Sequence, residues 1–119
     1  MTTSTVMLGT TVHGTPSGNY DGSSQDWSSD AAQAANYYWG RGSVQTIAFD
    51  LTGFVGDMRL EATLDSDANS ATWFETYDIL APTALTQRQV ATITGNFTWM
   101  RVRVVEFDSG TINSVTITF

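Results

Sequence analysis

Carboxylates offer this chain its widest choice of chemistry. Asp65-Ser66-Asp67-Ala68-Asn69 has the D-x-D-x-N opening of a calcium loop, which gathers oxygen ligands about a hard cation. The match then stops, because Ser70 stands where glycine makes the sharp turn, Thr76 where a bidentate glutamate belongs, and the flanks read as strand. A solvated hairpin turn is the plainer reading. Asp26 with Asp30, or Glu106 with Asp108, could be drawn as the acid and base of a glycosidase. Nothing in the sequence sets the separation of about 5 to 9.5 Å, or the raised pKa, that such a pair needs.

Other chemistries lack parts. His13 is the single histidine, so a multi-histidine metal site is impossible and a Ser-His-Asp triad would have to be built on a near-terminal strand. No G-x-S-x-G elbow accompanies it. The absence of cysteine removes disulfides, thiolate metal ligands and thiol nucleophiles. Gly40-Arg41-Gly42 lacks the length and following helix of a phosphate loop, and Asn96-Phe97-Thr98 is a glycosylation sequon set in a turn. The expectation is a protein that is not an enzyme, with no catalytic residue, no metal and no cofactor.

Binding has better material. Trp27, Tyr37, Tyr38 and Trp39 are flat rings with polar edges, of the kind that stack on sugars and anchor protein interfaces; the alternative is that they cap an open end of the core. In TGNFTWMRVRVVEF, residues 94–107, strand alternation sends Met100, Val102 and Val104 to one face and Trp99, Arg101 and Arg103 to the other. Glu61 and Arg59 point away from the core face of their own strand in the same way. Arg101 or Arg103 opposite Glu61 would make a cross-strand ion pair. Alternatively, Trp99, Arg101 and Arg103 meet a partner, since Trp and Arg are enriched at interface hot spots.

The elements that must carry these residues are strands. Period-two patterns place Ile47, Phe49 and Leu51 on one face, Met58, Leu60, Ala62 and Leu64 on another, and Val115, Ile117 and Phe119 on a third; Val90–Thr94 and TVMLGTTV, with Val6, Leu8 and Val12 on one side, add two more. Turn signals at Gly53, Gly56-Asp57, residues 65–70, 94–96 and 108–110 separate them. The prediction is an all-β fold: one antiparallel β-sandwich, jelly-roll-like, spanning residues 1–119 as a single domain. Residues 14–43 read as a long loop excursion. It is either functional or a flap over a sheet edge, with a short helix in SSDAAQAANYY capped by Ser28, Ser29 or Asp30 and ended at Gly40.

Composition narrows the partners. The net charge is −7 and every cation is an arginine, so nucleic acid and anionic membrane surfaces are poor partners. No run approaches the roughly 20 apolar residues of a membrane span, and the start lacks a basic segment before an apolar one, so a soluble chain made without a signal peptide is expected.

A string of landmarks runs through residues 36–119: Tyr37-Tyr38 before a glycine, Gly53-Phe54-Val55-Gly56, Ala62-Thr63-Leu64, Trp73-Phe74, Gly95-Asn96-Phe97-Thr98-Trp99-Met100-Arg101 and Gly110-Thr111-Ile112. In this order they resemble a β-rich module of virion structural proteins from marine cyanophages and related tailed phages. Trp39 before the glycine and the alanine-rich residues 31–35 depart from it. The resemblance implies a non-enzymatic particle component assembled in the host cytoplasm and residing in the virion. For a short acidic chain that suggests a head decoration or cement protein, docked on other virion proteins of capsid or tail and repeated as a homo-oligomer. The alternative is a carbohydrate-recognition module on a fibre or head surface, with glycans as the partner of Trp27, Tyr37, Tyr38 and Trp39.

Overall fold

The computed structural model describes residues 4–37 and 43–119. Four short strands, β1 (Ser4–Leu8), β2 (Thr11–Val12), β3 (Trp27–Ser28) and β4 (Ala32–Gln33), precede three long ones, β5 (Val44–Thr63), β6 (Phe74–Thr94) and β7 (Trp99–Thr118). All ladders are antiparallel, in the order β1-β7-β5-β6, with β2, β3 and β4 also laid along β7. The turns predicted at Gly53, Gly56-Asp57 and 108–110 do not end strands. They are bends and bulges inside continuous ones.

Those bends turn one hydrogen-bonded sheet into a sandwich. A straight strand as long as β5 would span about 66 Å, yet the longest dimension of the molecule is 40 Å. Val44 pairs with Thr94 and Thr63 pairs with Trp99, and residues 95–98, which join those partners, reach at most about 18 Å. The two ends of β5 are therefore brought together. Phe49 and Tyr77 confirm it: Tyr77 pairs with Leu60, eleven positions along β5 from Phe49, but the two rings stack at 6.0 Å. Gln89 Nε2 also donates to the Tyr77 hydroxyl across the fold.

The back layer thus holds β1, β2, residues 111–118, 44–52 and 85–94. The front layer holds β3, β4, residues 99–105, 57–63 and 74–81. Between them lies one core, in which Ile47, Phe49, Leu51, Met58, Leu60, Ala62, Met100, Val102, Val104, Val115 and Ile117 are shut off from solvent. Each large side chain so buried contributes roughly 1.5 to 3 kcal/mol. The bend itself needs left-handed backbone, at Gly53 (φ 60°) on β5 and at Glu106 (φ 56°) and Gly110 (φ 95°) on β7.

Of the excursion over residues 14–43, the described residues lie as a flap. Its described part covers the outer edge of β7. Phe107 anchors it, with His13 and Tyr20 each 5.2 Å away, Trp27 at 6.1 Å and Phe54 at 5.8 Å. The predicted helix reduces to a 3-10 turn, Ala35–Tyr37. Ala32, Ala34 and Ala35 pack into the core, Ala32 and Gln33 pair with Met100 and Trp99, and Ala35 N–H is taken by the buried Gln45 side chain at 3.1 Å. Tertiary contacts override helix propensity here.

One face assignment is corrected. Val6 is exposed while Met7 and Leu8 are buried, because a bulge between Val6 and Leu8 shifts the register of β1, and on β2 Thr11 is buried while Val12 is exposed. Leu64 is likewise exposed, beyond the end of β5.

The bend generates a prediction. A Cβ on Gly110 would lie 2.2 Å from the Gly53 carbonyl oxygen, whereas one on Gly53 meets open space. Gly110→Ala should cost about 3 kcal/mol or more, and Gly53→Ala only about 1 to 2 kcal/mol from its left-handed backbone. Urea denaturation of the two variants checks the order.

Candidate functional site

The outer surface of the front layer carries most of the protein's charge pairing. Residues directly opposite one another share a face, and the registers define four rows: Leu80-Asp57-Val105, Asp78-Arg59-Arg103-Ser28, Glu75-Glu61-Arg101, and Thr63-Trp99-Gln33. Successive rows are about 7 Å apart. Arg59 and Arg103 face each other across the ladder, a like-charge juxtaposition relieved because each guanidinium has its own carboxylate. Arg59 Nε donates to Asp57 Oδ2 at 3.0 Å. Arg103 holds Asp26 bidentately, Nε to Oδ1 at 3.1 Å and Nη2 to Oδ2 at 2.8 Å. These hydrogen bonds raise the pKa of both arginines and lower that of Asp26. A lowered pKa is the reverse of what a general acid needs, which removes Asp26 from the acid role in an Asp26–Asp30 pair.

Arg101 Nε donates to Glu61 Oε1 at 2.7 Å, realising the cross-strand pair, and its guanidinium lies 4.5 Å from the Trp73 ring centroid. Glu61 and Asp57 are buried beneath their arginines. The Arg59 and Arg101 side chains are 35% and 27% exposed, so guanidiniums fixed by buried carboxylates reach the surface.

Aromatic rings close one end of this surface. Trp99 donates its indole N–H to the Ser66 carbonyl at 3.1 Å and meets Tyr37 edge-to-face at 5.0 Å. Trp73 is placed by the loop that resembles a calcium site. Asp65 Oδ2 accepts from Thr72 N at 2.7 Å, while Asp67 caps the short turn Ala68–Ser70, accepting from Asn69 N at 3.0 Å. These carboxylates organise a turn, and among the described residues no group of three or more His, Asp or Glu could hold a metal ion.

The aromatic set drawn from the sequence separates. Trp27 is buried against Tyr20 and Phe107 and has no surface to stack on. Tyr37 joins Trp99 at the end of the face. Tyr38 and Trp39 lie outside the described residues. Arg101 and Arg103 stand in adjacent rows but serve different carboxylates. Trp73, Asp57, Glu75 and Asp78 were missed; for the three carboxylates the signal was the pairing register, which alternation within one strand does not give, and Trp73 sits in the loop before β6.

Among the described residues Asp78 forms no ion pair with an arginine. Partial desolvation first, then a hydrogen bond with Asp57 and the charges of Asp57 and Glu75, push its carboxyl up to about 6.

No family model matches the chain, and no curated protein matches it. Solved structures with a similar course include chitosan-binding module 1 of a chitosanase/glucanase from Paenibacillus sp. IK-5 (15% identity, 98% of this chain and 92% of that one, TM-score 0.47). Others are the family 29 carbohydrate-binding module CBM29_1 from Piromyces equi (10%, 98% and 90%, 0.46) and the family 32 module of C. perfringens NanJ in complex with galactose (14%, 99% and 93%, 0.41).

The raised Asp78 predicts a pH dependence. A carboxyl whose folded pKa lies above its unfolded value favours the folded state fully below about 3.8, and that contribution is lost as pH rises through about 6. Asp78→Asn should therefore gain stability relative to the unaltered protein between pH 4 and pH 7. Urea midpoints measured across that range should diverge; parallel curves would remove the assignment.

Proposed function

We propose that this protein is a non-enzymatic carbohydrate-recognition module whose ligand lies across the front face. The observation that carries the reading is the arrangement of Arg101 and Trp73: a guanidinium fixed by the buried Glu61 and set against an indole ring. A sugar hydroxyl accepts from a guanidinium held in place, while the C–H face of a pyranose suits an aromatic surface. The rows extend this pattern over about 20 Å, enough for a chain of several sugar units. Because the ion pairs pre-form, little side-chain freedom is lost on binding.

The landmark resemblance supports a setting for this recognition, on a phage particle. A separate observation favours a docking role there. On the back layer, Val6, Thr116, Ala48 and Val90 form one row across the sheet, with Val6 and Val90 more than 60% exposed. Threonines make up the row Thr118-Thr46-Thr92 beside it. This sheet face, which among its described residues carries one ion pair, Arg88–Asp50, suits attachment to another virion protein, with copies repeated by the symmetry of the particle, and leaves the more charged face turned outward.

Glycan-array screening followed by calorimetry tests the main reading. Trp73→Ala should weaken binding about tenfold, corresponding to about 1.4 kcal/mol, with the fold retained. A protein that binds no glycan at millimolar concentration overturns it. Ala48→Lys with Val90→Lys should leave glycan binding intact and abolish incorporation into particles.

A further inference from the structure

β6 is the last strand of the sheet, and among the described residues no strand lies beyond it. The two halves of this free edge are built differently. Along the front half, residues 74–81, Leu60 pairs with Tyr77 but Glu61 pairs with Glu75, so Thr76 is an extra, bulged residue, and Glu75 and Asp78 add negative charge. Pro82 follows at once. Bulges, charges and proline all discourage an edge from pairing with another chain. The back half, residues 83–94, reads TALTQRQVATIT and has none of these protections. It holds no proline, glycine or carboxylate, Arg88 is its one charge, and from residue 87 to 94 its register against β5 is unbroken.

The ladder fixes where the backbone groups of this half point. Gly95 N donates to the Ser43 carbonyl at 2.7 Å, one step beyond the pair Val44–Thr94. Hydrogen-bonded pairs alternate with non-bonded ones along an antiparallel ladder, so Ile93, Ala91 and Gln89 bond β5. Arg88, Val90 and Thr92 therefore aim their N–H and C=O groups away from β5, toward the open side. The Thr46 and Thr92 hydroxyls, 3.1 Å apart, fit the close side-chain approach of a non-bonded pair.

We propose that this half-edge pairs with the same edge of a second copy of this chain, antiparallel about a two-fold axis at Val90, joining two back layers into one continuous sheet. The dimer goes beyond the carbohydrate reading and does not depend on it. A strand edge takes a strand, and two identical edges laid antiparallel about a two-fold axis are self-complementary. With the axis at Val90, the valine meets its own copy and Arg88 falls opposite Thr92 in both directions. About six backbone hydrogen bonds then form, and the two Arg88 side chains are kept apart, whereas an axis at Arg88 would set cation against cation. The chain carries a net charge of −7, yet no carboxylate on this stretch opposes the approach of a second copy. The exposed row Val6-Thr116-Ala48-Val90 would run on through Val90 of the second copy. A strand edge about 30 Å long covers less than the roughly 800 Å² per partner of a standard interface, so the dimer is reversible and concentration-dependent.

Sedimentation equilibrium of the full chain, up to about 1 mM, tests this. The mass should double with concentration and rise no further. Val90→Asp and Val90→Lys should each stay monomeric, because like charges then meet across the axis, and an equimolar mixture of the two should recover the dimer. Val90 is 63% exposed, so both variants keep the fold, which circular dichroism checks. Hydrogen exchange gives a second readout. The amides of Arg88, Val90 and Thr92 should exchange more slowly in concentrated than in dilute protein, while those of Gln89, Ala91 and Ile93, bonded to β5, should be slow in both. A monomer at every concentration overturns the proposal. So does a dimer that survives both single variants, exchange at residues 88, 90 and 92 that ignores concentration, or growth past the dimer. None of these outcomes bears on glycan binding.

Discussion

Everything in this molecule depends on three long strands bending at the same level. Without left-handed backbone at Gly53, Glu106 and Gly110, β5 and β7 would run straight, and the apolar faces of their two halves would have nothing to cover them. With the bend, one sheet supplies both layers, and residues as distant along the chain as Phe49 and Tyr77 become packing partners. Gly110 is the tightest point, since the Gly53 backbone occupies the space a side chain would need.

Folding the sheet also decides what each face does. The inner faces are consumed by the core, so polar residues are forced outward, and the cross-strand register fixes which ones become neighbours. On the front layer that produces arginine–carboxylate pairs beside Trp73, Trp99 and Tyr37. On the back layer the same logic produces valines and threonines with one ion pair, Arg88–Asp50, among the described residues. Two surfaces of different chemistry, on opposite sides of a thin body, suit a protein that is attached on one side and recognises something on the other.

Much of the fold was legible because burial on a strand leaves a period of two. Ile47, Phe49 and Leu51, Met58, Leu60 and Ala62, and Met100, Val102 and Val104 are all in the core as the alternation requires. What escaped was continuity: glycines read as turns are bends, and the polar stretch 74–89 is strand because it forms an edge with one side open to solvent. The site was half legible. Arg101 opposite Glu61 followed from alternation, but Glu75 with Asp78 depends on a bulge, and Trp73 on a loop whose carboxylates looked like metal ligands. Trp27 shows the reverse error, since an aromatic residue in a Gly- and Ser-rich excursion advertises a surface and here fills a core.

β7 is the partner of every strand except β6, and the pairs it makes join residues as far apart as Ser4 and Thr118. Nearly all of its ladders are long-range, which is the topology that folds slowly. During synthesis the β5–β6 hairpin would leave the ribosome with its apolar face bare until β7 follows. That interval, more than the finished molecule, is when this chain is open to aggregation and to the attention of chaperones.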